Sequence, residues 1–281
     1  MLVFIICHLS IDDYGKISDS AGYVNCHVES RRIIGGVPRL LFFSRCVGNI
    51  AGMNSENELS PTMRGYLAEI YRLQENADPD EPYVSTSALA DVLFVSPPAV
   101  NRMVGKLKEM GYLHHEPYQG ISLTQAGNNE ALLELRRHRI IEAFLVTVMN
   151  FGWHEVHHEA HLMSSGTSEI LLQRMLEMAG QPTTCPHGEP IPDANGVLPK
   201  IHDERLNKAD IGQDLQITRV TTREPDRLEY LEALGLTPGR KIHLLHKAPF
   251  NGPLQLKIGD EFRIIGDNLA HLIRVTPAEN Q

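Results

Sequence analysis

The sequence has few of the features that mark membrane and secreted proteins. Its longest apolar run, Leu2 to Cys7, is far shorter than the roughly 20 residues that a membrane-spanning helix needs. No charged segment with a small-residue cleavage site indicates a secretory signal. Three of the four cysteines lie in residues 1–52, which leaves Cys185 alone in the rest of the chain and argues against a disulfide framework. We therefore expect a cytoplasmic protein with no membrane partner.

The sequence also lacks an excess of positive charge. Its formal net charge is -9 at pH 7, so the molecule as a whole does not attract nucleic acid. Any contact with DNA must come from a local basic surface. At 281 residues the chain is long enough for two or three small domains, each with its own core.

Residues 1–52 differ from the rest of the chain. They show no sustained helical or strand period and contain scattered Cys, Gly and Ser. Met53 then precedes a polar leader and a helical pattern. We expect residues 1–52 to be a non-native or disordered extension and Met53 to be the natural start, which N-terminal mass determination of the native protein would test.

Residues 53–127 have the pattern of a winged helix-turn-helix domain. A first helix begins near Pro61, a short second helix ends near Leu93, and a third begins after Ser96, where a serine N-cap and prolines suit a first turn. Gly111 ends that helix, and two short strands around a Pro-Tyr-Gln-Gly turn follow as a wing. A small helical subdomain that touches no DNA is the alternative.

The third helix carries Arg102, Lys106 and Lys108 against Glu109, so positive charge lies where a DNA groove needs it. We expect apolar residues at its start to contact thymine methyl groups and polar ones to reach base edges or phosphates. The candidate DNA-binding residues are Ser96, Pro97, Pro98, Ala99, Asn101 and Arg102, with Lys106 or the wing residue Gln119 meeting phosphate.

Residues 128–180 form a helical domain rich enough in Leu, Ile and Met to dimerise. A long helix from Gln125 to Asn150 places His138 and Glu142 together on one face. Two shorter helices follow, predicted at Trp153 to Ser164 and Ser168 to Ala179.

Residues 181–205 read as an extended, semi-rigid linker, because five prolines fall within 20 residues of this region. Residues 206–276 then alternate short strands with Gly-containing turns around one helix, which predicts a small β-barrel. The expected fold is mainly α with small β parts.

The stretch His154-Glu155-Val156-His157-His158 matches the H-E-x-x-H pattern of zinc proteases. Glu177, 19 residues after His158, could supply a third ligand. The same stretch sets His157 and His161 four apart, so a helix would also place that pair on one face. A zinc-dependent hydrolase is therefore one hypothesis for this chain.

The order of these parts, with "SALADVLFVSPPAVNRMVGKLKEMGYLHHEPYQGISLTQAG", "LRRHRIIEAFL" and "CPHGEPIP", resembles the diphtheria-toxin-repressor family of iron- and manganese-responsive transcriptional repressors. The likeness covers about 60 to 276. It implies an SH3-like, FeoA-type barrel at the end of the chain. It also implies a homodimer that binds a divalent metal and then fits two recognition helices into double-stranded operator DNA.

The resemblance maps one metal site of the family onto His138, Glu142 and His157, with a carboxylate from the barrel at Glu224. Such ligands suit Fe(II) or Mn(II), and Zn(II) in vitro. The family's other site departs from its pattern, because Gly65, His161, Ser164 and Ser165 stand at its positions. His161 is the one convincing ligand there, unless Met63, His158 or Glu159 rebuilds the site. We therefore expect about one tightly held ion per subunit.

The regulator hypothesis accounts for more residues than its alternatives. A proteolytic helix would leave His138, Glu142 and His161 unexplained, and no large catalytic domain surrounds it. A metal-binding protein without DNA binding would explain the ligands but not the basic third helix. Metal-dependent DNA binding separates these hypotheses.

Overall fold

A computed structural model of the protein describes residues 59–77, 83–116 and 119–278, together with two short strands near the N-terminus. Those strands, β1 (Ser10–Ile11) and β2 (Ile17–Ser18), pair antiparallel. They belong to the first of two units of the chain, residues 1–57, and residues 58–281 make up the second. The predictions that residues 1–52 are an extension and that Met53 is the start lie outside the described residues.

The first domain of the second unit is the predicted winged helix-turn-helix. Side-chain oxygens of Ser60 and Ser85 accept backbone N–H hydrogen bonds and so cap the first two helices. Apolar side chains from all three helices and the wing form one core. The elements are α1 (Pro61–Asn76), α2 (Thr86–Leu93), α3 (Pro97–Glu109), β3 (Leu113–Glu116) and β4 (Gly120–Leu123).

The second domain consists of α4 (Gln125–Thr147), α5 (Val156–Ser164) and α6 (Glu169–Met178). Apolar side chains of all three helices share a second core. Helix α4 also packs against α1, so the long helix joins the two domains. The predicted helix from Trp153 was too long at its start, because Trp153 to Glu155 form a turn and the indole of Trp153 is buried in the core of the following domain.

The third domain is a six-stranded antiparallel sheet in the order β5-β10-β6-β7-β8-β9. Alternate residues of its strands and two leucines of α7 enclose a third core. Its elements are β5 (Glu204–Arg205), β6 (Asp214–Val220), α7 (Pro225–Ala233), β7 (Lys241–Lys247), β8 (Leu254–Ile258), β9 (Glu261–Ile265), α8 (Asp267–Ala270) and β10 (Ile273–Pro277). The predicted order of a winged helix, a helical block and a small β domain is confirmed.

The proline-rich segment between the last two domains is not an exposed linker along its whole length. Cys185 and His187 to Pro190 are buried, and Thr184 pairs with Pro190 in an antiparallel bridge. Buried arginines of α4 hold the segment, because Arg136 and Arg139 donate hydrogen bonds to the carbonyls of Pro192 and Pro190. In the described part of the chain, no helix is both long and apolar enough to cross a membrane.

Candidate metal centre and DNA-binding face

Helices α4 and α5 bring together three of the predicted metal ligands. His138 Nε2 lies 3.0 Å from Glu142 Oε1 and 2.9 Å from His157 Nδ1. The His157 Nδ1 atom in turn lies 3.2 Å from Glu142 Oε1. Ligand atoms held at about 2.1 Å from one ion lie roughly 3 Å from each other. These three atoms therefore have the spacing of a ligand set for a single divalent ion.

A second group forms on the other side of Glu142. Its Oε2 atom lies 3.6 Å from Nδ1 of His187, which itself lies 3.8 Å from the Cys185 sulfur. All three side chains are buried. Cys185 and His187 come from the segment after α6, which carries the family motif "CPHGEPIP" and was not predicted to supply ligands. A lone cysteine two residues before a histidine was the available signal.

Glu142 is thus shared by both groups, with one carboxylate oxygen facing each. Burial alone raises the pKa of this carboxyl, but the nearby His138 and His187 outweigh burial and hold the pKa well below its usual range. Glu142 is therefore ionised at neutral pH. A buried carboxylate between two sets of nitrogen and sulfur atoms is a strong attractor for a divalent cation.

The histidines of the two groups differ in protonation. Burial lowers the pKa of His138, and it lowers the pKa of His157 to about 3, so both imidazoles are neutral at physiological pH. Burial also acts to lower the pKa of His187, but the charge of Glu142 prevails and raises it well above its usual value. Burial raises the pKa of the Cys185 thiol. Metal binding at the second group therefore requires the loss of protons.

The chemistry of the donors fits the ion that the family resemblance implies. Three imidazoles, a carboxylate and a thiol are ligands for borderline divalent transition metals rather than for Mg²⁺ or Ca²⁺. They converge from two helices and one loop, and each helix or loop is held by its own packing. Such a pre-arranged set lowers the cost of ordering ligands when an ion binds.

Two other predicted ligands, Glu224 and His161, belong to neither group. Glu224 is at the N-cap of α7, where its side chain is 62% exposed and forms an ion pair of 2.8 Å with Arg227. His161 is exposed on α5. Ser164 and Ser165 use their hydroxyl groups to donate hydrogen bonds to the carbonyls of His161 and Leu162. The space around the Cα of Gly65 is open.

The protease-like pattern does not lie on one helix. His154 and Glu155 precede α5, and Glu155 Oε2 accepts a hydrogen bond of 3.1 Å from the backbone N–H of Gly152. His154 lies 3.6 Å from Glu232 of the third domain, whereas His158 is exposed. The one-face arrangement that zinc proteases need is therefore not formed.

Most of the predicted DNA-binding residues are exposed on α3 and the wing. Val100, Val104 and Leu107 bury one side of α3, which turns the other side outward. Lys108 Nζ donates a hydrogen bond of 3.0 Å to the carbonyl of His115 and so fixes the wing to α3. Ala99 is half-buried, and the exposed candidates are Ser96, Pro97, Pro98, Asn101, Arg102, Lys106 and Gln119.

A winged helix with an outward basic helix, joined to a buried cluster of transition-metal donors, defines the class of metal-responsive DNA-binding proteins. Family models match the three domains in turn. Residues 58–121 match the iron dependent repressor N-terminal DNA binding domain, 124–193 its metal binding and dimerisation domain, and 204–277 the FeoA domain. The chain belongs to the diphtheria-toxin-repressor family of metal-dependent transcriptional regulators.

Individual relatives agree with this assignment. The iron-dependent repressor IdeR of Mycobacterium tuberculosis is 28% identical over 231 residues, which cover 78% of this chain and 98% of the relative. An HTH-type transcriptional regulator of Methanocaldococcus jannaschii is 35% identical over 118 residues, 42% of this chain and 91% of that protein. A manganese-dependent transcriptional repressor in complex with manganese superposes with a TM-score of 0.72 at 30% identity, covering 77% of this chain and all of that one. These relatives do not support the hydrolase alternative.

Proposed function

We propose that the chain acts in the cytoplasm as a homodimer that binds double-stranded operator DNA when Fe(II) or Mn(II) is bound. The observation that carries this proposal is the convergence of His138, Glu142 and His157 within a domain that packs directly on α1 of the DNA-binding domain. Ligands and recognition helix are thereby parts of one packed body. The family of the chain and the names of its relatives support the same function.

The ligand arrangement supports a two-position site in each subunit. Glu142 would hold one ion through Oε1 together with His138 and His157, and a second through Oε2 together with Cys185 and His187. The prediction of about one tightly held ion rested on Gly65, Ser164 and Ser165 and did not include the group of Cys185 and His187. The residues of the two groups would hold the ions, whose positive charge would neutralise the buried carboxylate of Glu142.

Exposed apolar side chains on α5 and α6 support the dimer. Leu162, Ile170 and Met178 are exposed to 58%, 86% and 56%, and they lie in the segment that matches a dimerisation domain. Apolar surface of this kind on two neighbouring helices is typical of a subunit interface. Sedimentation of the full chain is expected to give a dimer.

The decisive experiment measures operator binding by fluorescence anisotropy with metal-free, Mn(II)-loaded and Fe(II)-loaded protein. The operator is obtained by selecting duplexes from a random DNA library with the metal-loaded protein. We expect tight, sequence-specific binding with metal and at least roughly tenfold weaker binding after chelation. Equal binding by chelator-treated and metal-loaded protein would overturn the proposed function, and metal binding without any DNA binding would favour the metal-binding alternative.

A further inference from the structure

Glu189 lies two residues after His187, in the same hydrogen-bonded turn as the second ligand group. The backbone N–H of Cys185 donates to the carbonyl of Glu189 at 2.8 Å, and the N–H of Gly188 donates to the carbonyl of Cys185 at 2.9 Å. These two bonds close a compact loop. A displacement of Cys185 or His187 therefore moves Glu189 with it.

The side chain of Glu189 joins two domains. Its Oε2 atom accepts hydrogen bonds from Arg139 of α4 at 3.0 Å and from Arg223 of the third domain at 2.9 Å. Burial alone raises the pKa of this carboxyl, but Arg139, Arg223 and Arg72 lower it far below its usual value, so the group is charged. A buried carboxylate with two guanidinium partners holds its position firmly.

Helix α1 contributes a further buried charge that interacts with Glu189 and Arg223. Arg72 is buried there and donates a hydrogen bond to Glu69. Burial and the nearby Arg223 lower the pKa of Arg72, while Glu69 and Glu189 oppose that change. The buried charges of α1 are therefore balanced from outside the helix: Glu189 balances Arg72, and Arg223 balances Glu69.

The third domain also holds α1 directly, one turn further along the helix. Arg219 donates to Glu75 at 2.8 Å and, through Nε, to Asp203 at 2.9 Å. Arg205 donates to the backbone carbonyl of Asn76 at 2.6 Å. The ligand loop is hydrogen-bonded to the same domain: the N–H of Val220 donates to the carbonyl of His187 at 2.9 Å.

We infer that Glu189 is a positioning residue that transmits occupancy of the Cys185–His187 ligand group to helix α1 and thereby to the DNA-binding domain. This inference rests on the proposed function and specifies its regulation. The loop carries both the ligands and Glu189, and Glu189 is hydrogen-bonded to Arg223 of the third domain. That domain in turn holds Glu75 of α1 through Arg219. Gly65 of the same helix has no side chain that could bind metal, although the family pattern would place a ligand there. The charge cluster around Glu189 is therefore a second way to connect α1 to the metal site.

The physical basis of the coupling is the cost of an unbalanced buried charge. When Cys185 and His187 adopt the geometry required by an ion, Glu189 must keep Arg139 and Arg223 paired, which restricts the positions open to the loop. Arg72 and Glu69 then favour the placement of α1 that matches this arrangement. The ligand loop and helix α1 thus favour the same arrangement of the charged side chains between them.

The test substitutes Glu189→Gln in the full chain, which keeps the shape of the side chain and removes its charge. The matched control is Glu134→Gln on α4, a half-buried carboxylate that pairs with Arg137 at 3.3 Å. Three quantities are measured: Mn(II) affinity by calorimetry, the Mn(II)-dependent gain in operator affinity, and hydrogen exchange of residues 61–76 with and without Mn(II).

We expect Glu189→Gln to bind Mn(II) within about threefold of wild type and to lose roughly tenfold of the metal-dependent gain in operator affinity. In wild type and in the control, Mn(II) should slow exchange in α1, and in Glu189→Gln that effect should disappear. The inference is overturned if Glu189→Gln keeps the full metal-dependent gain in operator affinity and Mn(II) still slows exchange in α1 as it does in wild type. If Glu189→Gln does not fold, Arg223→Gln replaces it, because it removes the charge that pairs with Glu189; the same loss is expected, and a full gain again overturns the inference.

The two proposals fail separately. If wild-type protein binds no operator in response to metal, the proposed function fails. The α1 exchange measurement then still decides the inference, because it requires no DNA. If Mn(II) leaves α1 exchange of the wild type unchanged, the inference is wrong even where metal-dependent DNA binding is found.

Discussion

The Nε2 atom of His187 donates a hydrogen bond of 2.8 Å to the backbone carbonyl of Trp153. Because a carbonyl can only accept, this bond fixes the proton on Nε2 and directs Nδ1 toward Glu142 and Cys185. The indole of Trp153 also stacks on the imidazole, with ring centroids 5.6 Å apart. His187 is thus oriented as a metal-ligating histidine is commonly oriented, by a hydrogen bond on its other nitrogen.

This arrangement predicts that metal affinity falls as pH falls. In the metal-free protein the pKa of His187 is raised by Glu142 and the pKa of Cys185 is raised by burial, so lower pH favours the protonated forms that cannot bind an ion. His157, with a pKa of about 3, stays neutral and releases no proton. We expect roughly two protons released per fully loaded subunit. Calorimetry in buffers of different ionisation enthalpy measures this number, and affinity that does not change between about pH 6 and 8 would contradict it.

Cys185→Ser should remove the thiolate ligand while leaving the first group in place. Cobalt(II)-loaded wild-type protein is expected to show sulfur-to-metal charge-transfer absorption, because a thiolate binds the ion directly. Cys185→Ser should lack that absorption and bind one ion fewer per subunit. His138→Ala serves as the control, since it should retain the absorption. The two-position site would be disproved by identical spectra for Cys185→Ser and wild type.

Glu142→Gln should be the most damaging change at the metal centre, because both groups depend on this carboxylate. We expect metal affinity to fall by at least about 100-fold and metal-dependent DNA binding to be lost. His138→Ala should also cause a large loss. His161→Ala should cost no more than about threefold, since His161 is exposed and apart from both groups. Equal losses for His161→Ala and His138→Ala in a Mn(II) titration would show that His161 is a ligand.

Arg102→Ala should reduce sequence discrimination. Its exposed position on α3 suits a base-edge contact, so its removal should relax the preference at one base position by roughly 1 to 3 kcal/mol. Lys106 is expected to contact phosphate, so Lys106→Ala should instead weaken binding to all sequences alike. The slope of log affinity against log salt concentration should fall in magnitude by about one. Competition between single-base operator variants distinguishes the two patterns.

Gly65→Ala should stabilise the metal-free protein by about 0.5 to 1 kcal/mol. The residue lies inside α1, where glycine is a poor helix former, and a methyl group there would meet no atom within 4 Å. Gly127→Ala is the control, because its added carbon would lie 1.9 Å from the carbonyl oxygen of Tyr112 and should destabilise the fold. Urea unfolding monitored by circular dichroism measures both, and a loss of stability in Gly65→Ala would be inconsistent with open space at this position.

Local patterns predicted the winged helix and the helical domain well, because caps and apolar periodicity act within a few residues. Ser96 with two prolines marks the start of α3, and i,i+4 spacing places His138 beside Glu142. The end of α4 and the start of α5 were predicted less accurately. Trp153 is drawn into the core of the third domain, and that long-range packing has no local signature.

The loop ligands show the same limit. Prolines around Cys185 favoured the prediction of an extended, semi-rigid linker. Buried arginines of α4 instead hold this segment against the candidate metal centre, through contacts more than 50 residues apart in sequence. The role of Glu189 depends on Arg139 and Arg223, which approach from two different domains. Pairings of this kind follow from tertiary structure and from no spacing in the sequence.

Gly188 has a φ of +84°, and a Cβ at this position would lie 2.0 Å from the carbonyl oxygen of Thr218 in β6. The loop of Cys185 and His187 is therefore in close contact with the backbone of the FeoA-type domain, and no side chain would fit between them at position 188. A chain truncated after residue 203 would keep every ligand of the two groups around Glu142 yet expose the loop of Cys185 and His187 to water on that side. The FeoA-type domain is a separate domain in the sequence, but its backbone forms part of the surroundings of the ligands. A truncated chain is therefore expected to bind metal with a different ion preference and a different dependence on pH.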